Sequence, residues 1–230
     1  MMLSPCFVLD IPDIIADFNH VRQLHCKEAG KPIKIAHRLN SICINPNALQ
    51  RTSVKHALNV LHESTIRGLY AYSDLHSEFK DTALFLQKLS DIYKIMSVRN
   101  KYIGVAKRDE YCDYISKLSD AQLSYMEIWS KYLSDWKSSG LRGFSAPTFA
   151  ATIFTLKTMP SLCRYLLSVK EYKYVLTGQI NSNELEKRFG WFRQCSGSDF
   201  YLSVKTLIDG EKKIRVLSLL RNDLLLKLSL

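Results

Sequence analysis

The sequence has six cysteines, but no two of them have the close spacing used by zinc sites and small disulfide frameworks. They are scattered along the chain at Cys6, Cys26, Cys43, Cys112, Cys163 and Cys195. Zinc ribbons and zinc fingers need closely spaced pairs, so this pattern excludes both, and it excludes a compact disulfide scaffold. The pattern is typical of free, mostly buried thiols in a reducing compartment.

Long hydrophobic runs are also absent. Residues 1–9 lack the basic start and the apolar stretch of a signal peptide. The longest apolar tract, 144–169, is interrupted by Lys157, Pro160 and Arg164, which argues against a membrane span. We therefore expect a soluble protein of the nucleus or the cytoplasm that is neither secreted nor in a membrane.

The motifs of several enzyme classes are missing as well. The six histidines lie in the first third of the chain without an HExxH motif, and there is neither a GxSxG nor a GxxxxGK[ST] motif. His56 and His62 are six residues apart, which is a poor spacing for two metal ligands on a helix. The sequence thus gives no support to a zinc protease, a serine hydrolase or a P-loop nucleotidase.

Positive charge is present in excess. The chain has 32 Lys and Arg residues against 22 Asp and Glu residues, a formal net charge of +10. Such a surplus favours an anionic partner, most simply nucleic acid or an anionic membrane. A basic protein without such a partner is the alternative. The 230 residues suffice for one large domain or two small ones.

The hydrophobic spacing predicts a mainly helical fold with few strands. Residues 7–10 are expected to form a short strand, and Pro12 is expected to open a helix with Ile14 and Ile15 on its apolar side. Further helices are predicted after Asn45-Pro46, over 78–97, after Ser119-Asp120, and over 148–168 with a kink or division at Pro160.

One predicted helix carries four aromatic residues at helical spacing: Tyr125, Trp129, Tyr132 and Trp136. Such a row either packs in the core or forms a base-stacking platform, and the core is the commoner outcome. The glycine-rich segment 138–147 that follows is the clearest break in the sequence.

The stretch LTGQINSNELEKRFGWFRQCSG, residues 176–197, predicts a short helix. Asn181 is expected to cap it, with Glu184 completing a capping box. Three apolar residues would then form an inward-facing row: Leu185, Phe189 and Phe192. Glu186 would lie at the edge of this row.

Glu186 is surrounded in sequence by the cations Lys187, Arg188 and Arg193. A glutamate in this setting either forms salt bridges on a solvated helix face or holds metal ions against a phosphate backbone. The three cations correspondingly either belong to that solvated face or contact phosphates.

The same stretch resembles the catalytic-glutamate signature of P-element/THAP-type DNA transposases. Four other segments resemble this family in the same order and at similar spacing: residues 8–18, 39–69, 85–100 and 144–167. The resemblance covers most of residues 7–195. It implies a mainly α fold, in which a helical GTP-binding insertion domain is attached to an incomplete RNase H-like (α/β) catalytic core.

The resemblance also implies a division into three parts. Residues 1–22 would be the end of the core strand that carries the second catalytic aspartate, with its following helix. Residues 23–140 would be the helical insertion domain. Residues 141–230 would be the helical part of the core that carries the catalytic glutamate.

In this family, carboxylates hold Mg²⁺ or Mn²⁺ ions that cleave DNA and transfer a strand. Glu186 matches the catalytic glutamate, and Asp10 matches the second catalytic aspartate. These two residues are the implied catalytic residues and metal ligands. A turn residue at a strand end is the alternative for Asp10. Lys187, Arg188 and Arg193 are the implied contacts to DNA.

The sequence departs from the family at several positions. Asn183 stands where the family has an aspartate. The family's nucleotide motif FDxxN matches residues 93–97, so Lys94 replaces its carboxylate and Ser97 replaces its amide. Both replacements argue against GTP binding, and whether GTP binds stays open at this point. The first catalytic aspartate of the family would lie upstream of Asp10, so this chain is expected to be inactive by itself.

Two functions follow from these expectations. The chain is either a fragment of, or derived from, a P-element-type transposase that acts on transposon ends and can assemble as a homo-oligomer. Alternatively, it is a catalytically inactive, transposon-derived module that binds DNA or protein. A fragmentary gene product without a stable function is the third possibility.

Overall fold

The structure is a computed structural model that describes residues 8–11, 14–140, 143–195, 197 and 203–227, with the backbone alone at some positions. The chain divides into two compact units, Met1–Gln179 and Ile180–Leu230. We call them the first and the second unit. The three-part domain division given above remains a prediction.

The described part of the chain is mainly helical, as predicted. Two strands precede the helices: β1 (Val8–Ile11) and β2 (Ile14–Asp17). Eight α-helices follow in the described residues of the first unit: α1 (Phe18–Glu28), α2 (Ser41–Ile44), α3 (Val54–Val60), α4 (Glu63–Ala71), α5 (Glu78–Met96), α6 (Ile103–Lys107), α7 (Ala121–Ser138) and α8 (Ala146–Ser168). The second unit contains α9 (Asn183–Cys195) and α10 (Val204–Lys227).

The helix predicted from Pro12 onward is wrong in its first part. Residues Ile14–Asp17 form β2, which pairs antiparallel with β1. Consecutive β-branched residues favour an extended chain, and pairing with β1 satisfies their backbone groups. The helix α1 begins only at Phe18, where the Asp17 carboxylate accepts a hydrogen bond of 2.8 Å from the backbone N–H of Asn19. Pro12 itself lies outside the described residues.

Asn45-Pro46 ends a helix instead of beginning one. The short helix α2 finishes at Ile44, and the backbone N–H of Asn45 donates to the carbonyl of Ser41 at 2.8 Å. Asn40 caps this helix with its side chain. Proline is frequent just after a helix end as well as at a helix start, so the dipeptide fits both positions.

The core of the first unit lies around α5, which packs against β2, α1 and α4. Phe85 and Leu89 of α5 are buried, as the sequence predicted, whereas Ile92 and Met96 are half-buried. Leu69 of α4 is fully buried. This packing fixes the position of α5, whose second half carries the cleft described below.

The helix α7 packs along α8. Trp129 and Trp136 are buried, so the predicted core role of the aromatic row is confirmed. The Trp136 ring meets the Phe149 ring edge-on, with 5.0 Å between centroids. The break at 138–147 therefore connects two packed helices of one unit. The helix α8 runs undivided past Pro160.

Across the described ranges, no helix is both long enough and apolar enough to cross a bilayer. Five cysteines lie in the described part of the chain, all as free thiols. Cys43, Cys112 and Cys163 are buried, whereas Cys26 and Cys195 are exposed. Cys6 lies outside the described residues.

Candidate functional site

Glu186 lies in the first turn of α9. This helix begins at Asn183, so Ser182 precedes it directly, and the predicted cap Asn181 lies two residues before its first residue. The backbone N–H of Glu186 donates to the Ser182 carbonyl at 2.8 Å, and the Ser182 hydroxyl donates to Oε1 of Glu186 at 2.7 Å. The serine thus orients an exposed carboxylate. The side chain of Glu184, and with it the predicted capping box, lies outside the described residues.

The predicted inward-facing row of α9 is only partly correct. Phe192 is buried, but Leu185 and Phe189 are exposed, with 57% and 40% of their surface accessible. Phe192 packs over Gly210 of α10, where a Cβ atom would lie 2.7 Å from Cδ1 of the ring. The contact to α10 therefore holds α9 through its C-terminal half, and the turn that carries Glu186 faces solvent.

The three predicted DNA-contacting cations differ in their surroundings. Arg188 makes a two-pronged ion pair with Glu211 of α10, with 2.8 Å between Nε and Oε1 and 2.5 Å between Nη2 and Oε2. The hydrogen bond and the charge of Glu211 raise the pKa of Arg188. Lys187 and Arg193 are exposed. Arg188 thus joins α9 to α10.

The structure describes the backbone of Asp10 but not its side chain. Asp10 lies in β1, opposite Ile15 of β2. It belongs to the first unit, and Glu186 belongs to the second. Their convergence on a common metal site therefore remains a prediction.

The donor chemistry fits the implied metal. A carboxylate such as that of Glu186 has lone pairs left for a cation after accepting one hydrogen bond, and Mg²⁺ prefers oxygen ligands. Among the side chains that the structure describes, no three His, Cys, Asp or Glu residues form a metal-binding group. A metal ion at Glu186 would thus need Asp10 or other carboxylates beyond those described.

A second candidate site is a cleft of about 910 Å³ in the first unit, beside the C-terminal half of α5. Its lining includes cations, anions and a tyrosine ring: Arg38, Lys94, Lys107, Arg108, Asp109 and Tyr111. The position at which the sequence departs from the family's nucleotide motif, Lys94, is therefore part of this cleft.

Lys94 is bound by two carboxylates. Its Nζ lies 2.8 Å from Oδ2 of Asp109 and 3.3 Å from Oδ1 of Asp91. Burial lowers the pKa of Lys94, but the hydrogen bond to Asp109 and the two negative charges outweigh burial, so the net pKa is raised. Burial raises the pKa of Asp91, although Gln87 donates a 2.8 Å hydrogen bond to it and Lys94 pairs with it. The Lys94 ammonium is thus held charged inside the cleft.

Asp109, the partner of Lys94, was not identified from the sequence. Asp91 precedes Lys94 by three residues on the same helix, so helical spacing alone could have suggested that pair. Asp109 lies beyond α6, and only the folding of this segment back onto α5 brings it close.

The comparisons with known proteins are as follows. No protein-family model matches the chain, and no curated protein matches its sequence. Among solved structures, a chain of the Drosophila P element transposase strand transfer complex is similar, with a TM-score of 0.71 and 18% sequence identity. The match covers 85% of this chain and 44% of that chain.

This likeness shows that the protein has a P-element transposase-like fold. It confirms, at the level of fold, the resemblance read from the sequence. The chain spans less than half the length of the transposase chain that it matches.

Proposed function

We propose that the protein derives from a P-element-type, THAP-related DNA transposase, and that it contributes to metal-dependent DNA cleavage and strand transfer in the complete enzyme. The observation that carries this proposal is the fold likeness over 85% of the chain, in the protein class that the Glu186 stretch resembles. In this assignment, residues 23–140 are the insertion domain, and the flanking parts belong to the RNase H-like core.

Glu186 and Asp10 are the residues that would hold the metal ions. Mg²⁺ or Mn²⁺ held there would activate the water or 3′-hydroxyl that attacks a phosphodiester and would stabilise the leaving oxygen. The Ser182 hydroxyl, which donates to Oε1 of Glu186, would restrict the rotation of that carboxylate and so orient its second oxygen. This is a positioning role for Ser182.

DNA is the proposed partner, in keeping with the net charge of +10. Lys187 and Arg193 would contact phosphates near the catalytic carboxylates. Arg188 would contact a phosphate in addition to its ion pair with Glu211. A nuclear location and homo-oligomers on transposon ends complete the proposal.

A catalytically silent DNA-binding module is the second candidate, and the Lys94 ion pairs favour it. The carboxylate that the family uses at this position to contact a guanine base is replaced here by an ammonium. That ammonium is engaged by Asp91 and Asp109. We propose that this protein does not bind GTP, and isothermal titration with GTP and Mg²⁺ tests this point.

The catalytic assignment is tested by cleavage of labelled DNA in Mg²⁺ or Mn²⁺, with the chain expressed within the longest reading frame that contains it. We expect Glu186→Gln and Asp10→Asn each to abolish cleavage without loss of DNA binding. Glu184→Gln is the matched control, since it removes the same charge from the same helix and should leave cleavage in place.

Two outcomes would change the proposal. Full cleavage by Glu186→Gln would overturn the catalytic role of this residue. A wild-type protein that binds DNA with a steep salt dependence, yet never cleaves it in either metal, would establish the second candidate.

A further inference from the structure

Three segments that are distant in sequence form one surface on the first unit. Ile115 and Val175 exchange backbone hydrogen bonds of 3.1 and 2.7 Å, which joins the segment after α6 to the segment after α8. The backbone N–H of Gly178 donates to the carbonyl of Val98 at 2.8 Å, which adds the segment after α5. The surface is therefore built on backbone pairing between these segments.

Tyrosine rings cover this surface. Tyr102 and Tyr172 are 64% and 57% exposed, and Tyr174 is 40% exposed. Tyr114 lies beside Tyr174, with 5.4 Å between ring centroids and a steep angle between the rings. Tyrosine offers a flat apolar face with a polar rim, which suits stacking against another flat ring.

One lysine lies beside these rings. The Lys101 ammonium is 4.9 Å from the centroid of the Tyr102 ring. Its interaction with Tyr102, and secondarily with Tyr174 and Tyr114, raises the pKa of Lys101. We name the following residues the tyrosine–lysine surface: Lys101, Tyr102, Tyr114, Tyr172, Lys173 and Tyr174.

The three segments carry a small excess of positive charge. Their cations are Arg99, Lys101, Arg108, Lys117, Lys170 and Lys173, and their acidic residues are Asp109, Glu110, Asp113, Asp120 and Glu171. Asp109 pairs with Lys94, and Oδ1 of Asp113 accepts a hydrogen bond from the backbone N–H of Tyr114 at 2.9 Å. Six cations against the four remaining carboxylates favour an anionic ligand.

We propose that the tyrosine–lysine surface binds single-stranded DNA, with bases stacked on the tyrosine rings and phosphates close to the lysines. Aromatic faces alternating with cations are the arrangement by which proteins bind unpaired strands without reading their sequence. Paired bases within a duplex cannot offer their faces to these rings. The choice of DNA over RNA rests on the proposed function. The proposal that bases stack on the tyrosine rings rests on the surface itself.

The test is fluorescence anisotropy of a labelled oligothymidine of about 20 nucleotides, titrated with the 230-residue chain in EDTA. We expect Tyr102→Ala and Tyr174→Ala each to weaken binding by at least about fivefold, since each ring stacks a base. Tyr102→Phe should bind like the wild type because it keeps the ring. Tyr70→Ala is the matched control, since Tyr70 is 38% exposed on α4.

Further arms of the same titration identify the ligand. Lys101→Gln should reduce the salt dependence of binding, and a blunt duplex of equal length should bind more weakly than the single strand. Oligouridine that binds more tightly than oligothymidine would overturn the choice of DNA. Binding that Tyr102→Ala and Tyr174→Ala leave unchanged would overturn the proposal, as would an equal loss in Tyr70→Ala.

Circular dichroism melts of the alanine variants separate lost binding from lost folding. If an alanine variant unfolds, Tyr102→Ile and Tyr174→Leu replace it, because they keep apolar bulk without a flat ring. The outcome is independent of catalysis, since no metal is present. A negative binding result would not bear on the proposed catalytic roles of Glu186 and Asp10. Conversely, absence of DNA cleavage would not bear on binding of single-stranded DNA by the tyrosine–lysine surface.

Discussion

The Lys94 ammonium lies 2.8 Å from Oδ2 of Asp109, and this contact ties α5 to the segment that follows α6. The same ammonium lies close to Asp91, whose side chain is only 10% exposed. One cation thus compensates two carboxylates at the wall of the cleft. Substitutions in this group should therefore change the free energy of unfolding and the way in which it depends on pH.

Replacing Lys94 by methionine should destabilise the protein. The change keeps the apolar stem but leaves Asp91 with Gln87 as its remaining partner, so the free energy of unfolding should fall by roughly 1–3 kcal/mol, allowing for partial exposure. Urea unfolding measures the change. Lys80→Met, at an exposed position of α5, should stay within about 0.5 kcal/mol of the wild type. Equal losses in both variants would contradict the role of the ion pairs.

Asp91→Asn should change how stability depends on pH. Burial raises the pKa of Asp91 in the folded state above the value of about 3.9 expected in the unfolded chain. The stability due to this group is therefore fully present below that value and is lost as the pH rises through the raised pKa. An asparagine has no such loss. Between pH 4 and 7, the free energy of unfolding of Asp91→Asn should therefore rise relative to that of the wild type. If the two free energies change in parallel with pH, this expectation is contradicted.

Replacement by alanine should have opposite effects on protein stability at two glycines, Gly178 and Gly190. A Cβ at Gly178 would lie 2.7 Å from the carbonyl carbon of Ser97, which is backbone and cannot turn aside, so Gly178→Ala should cost about 1–3 kcal/mol. A Cβ at Gly190 of α9 would meet nothing within 4 Å, so Gly190→Ala should add about 0.5–1 kcal/mol through helix propensity. Thermal melting separates the two. A stable Gly178→Ala variant would show that Ser97 can move away.

The salt dependence of duplex binding should report the proposed phosphate contacts of Lys187 and Arg188. Lys187→Gln should lower the slope of log Kd against log salt by about one, as expected for one lost phosphate contact. Arg188→Gln should lower the slope by less than about one, because Glu211 pairs with this guanidinium. Filter binding at several salt concentrations measures both slopes. A fall of about one or more in Arg188→Gln would show that its ion pair opens when DNA binds.

Regular periodicity made the long helices predictable. The helix α5 lies within one residue of the predicted 78–97, and α7 begins directly after the predicted start at Asp120. The strand β1 was predicted, but β2 was missed because a short apolar run such as Ile14–Asp17 fits a strand and a buried helix turn equally well.

The sequence could predict only those parts of the candidate sites whose residues are close together in the chain. The helix around Glu186 follows from its own sequence, but the exposure of Leu185 and Phe189 depends on where α10 packs. The pair of Lys94 with Asp109 and the tyrosine–lysine surface arise from segments brought together by folding. No local pattern in the sequence contains that information.

The last residues of the first unit form hydrogen bonds to the last turn of α5 and to the segment that follows it. The Thr177 hydroxyl donates to the carbonyl of Ile95, the Gly178 N–H donates to Val98, and Nε2 of Gln179 donates to the carbonyl of Arg99 at 3.2 Å. A shortened protein made to study the first unit alone should therefore stop no earlier than Gln179. A fragment that ends at Lys173 would lose these three hydrogen bonds and the Ile115–Val175 bridge. Its measured stability would then reflect the lost contacts and not the stability of the intact first unit.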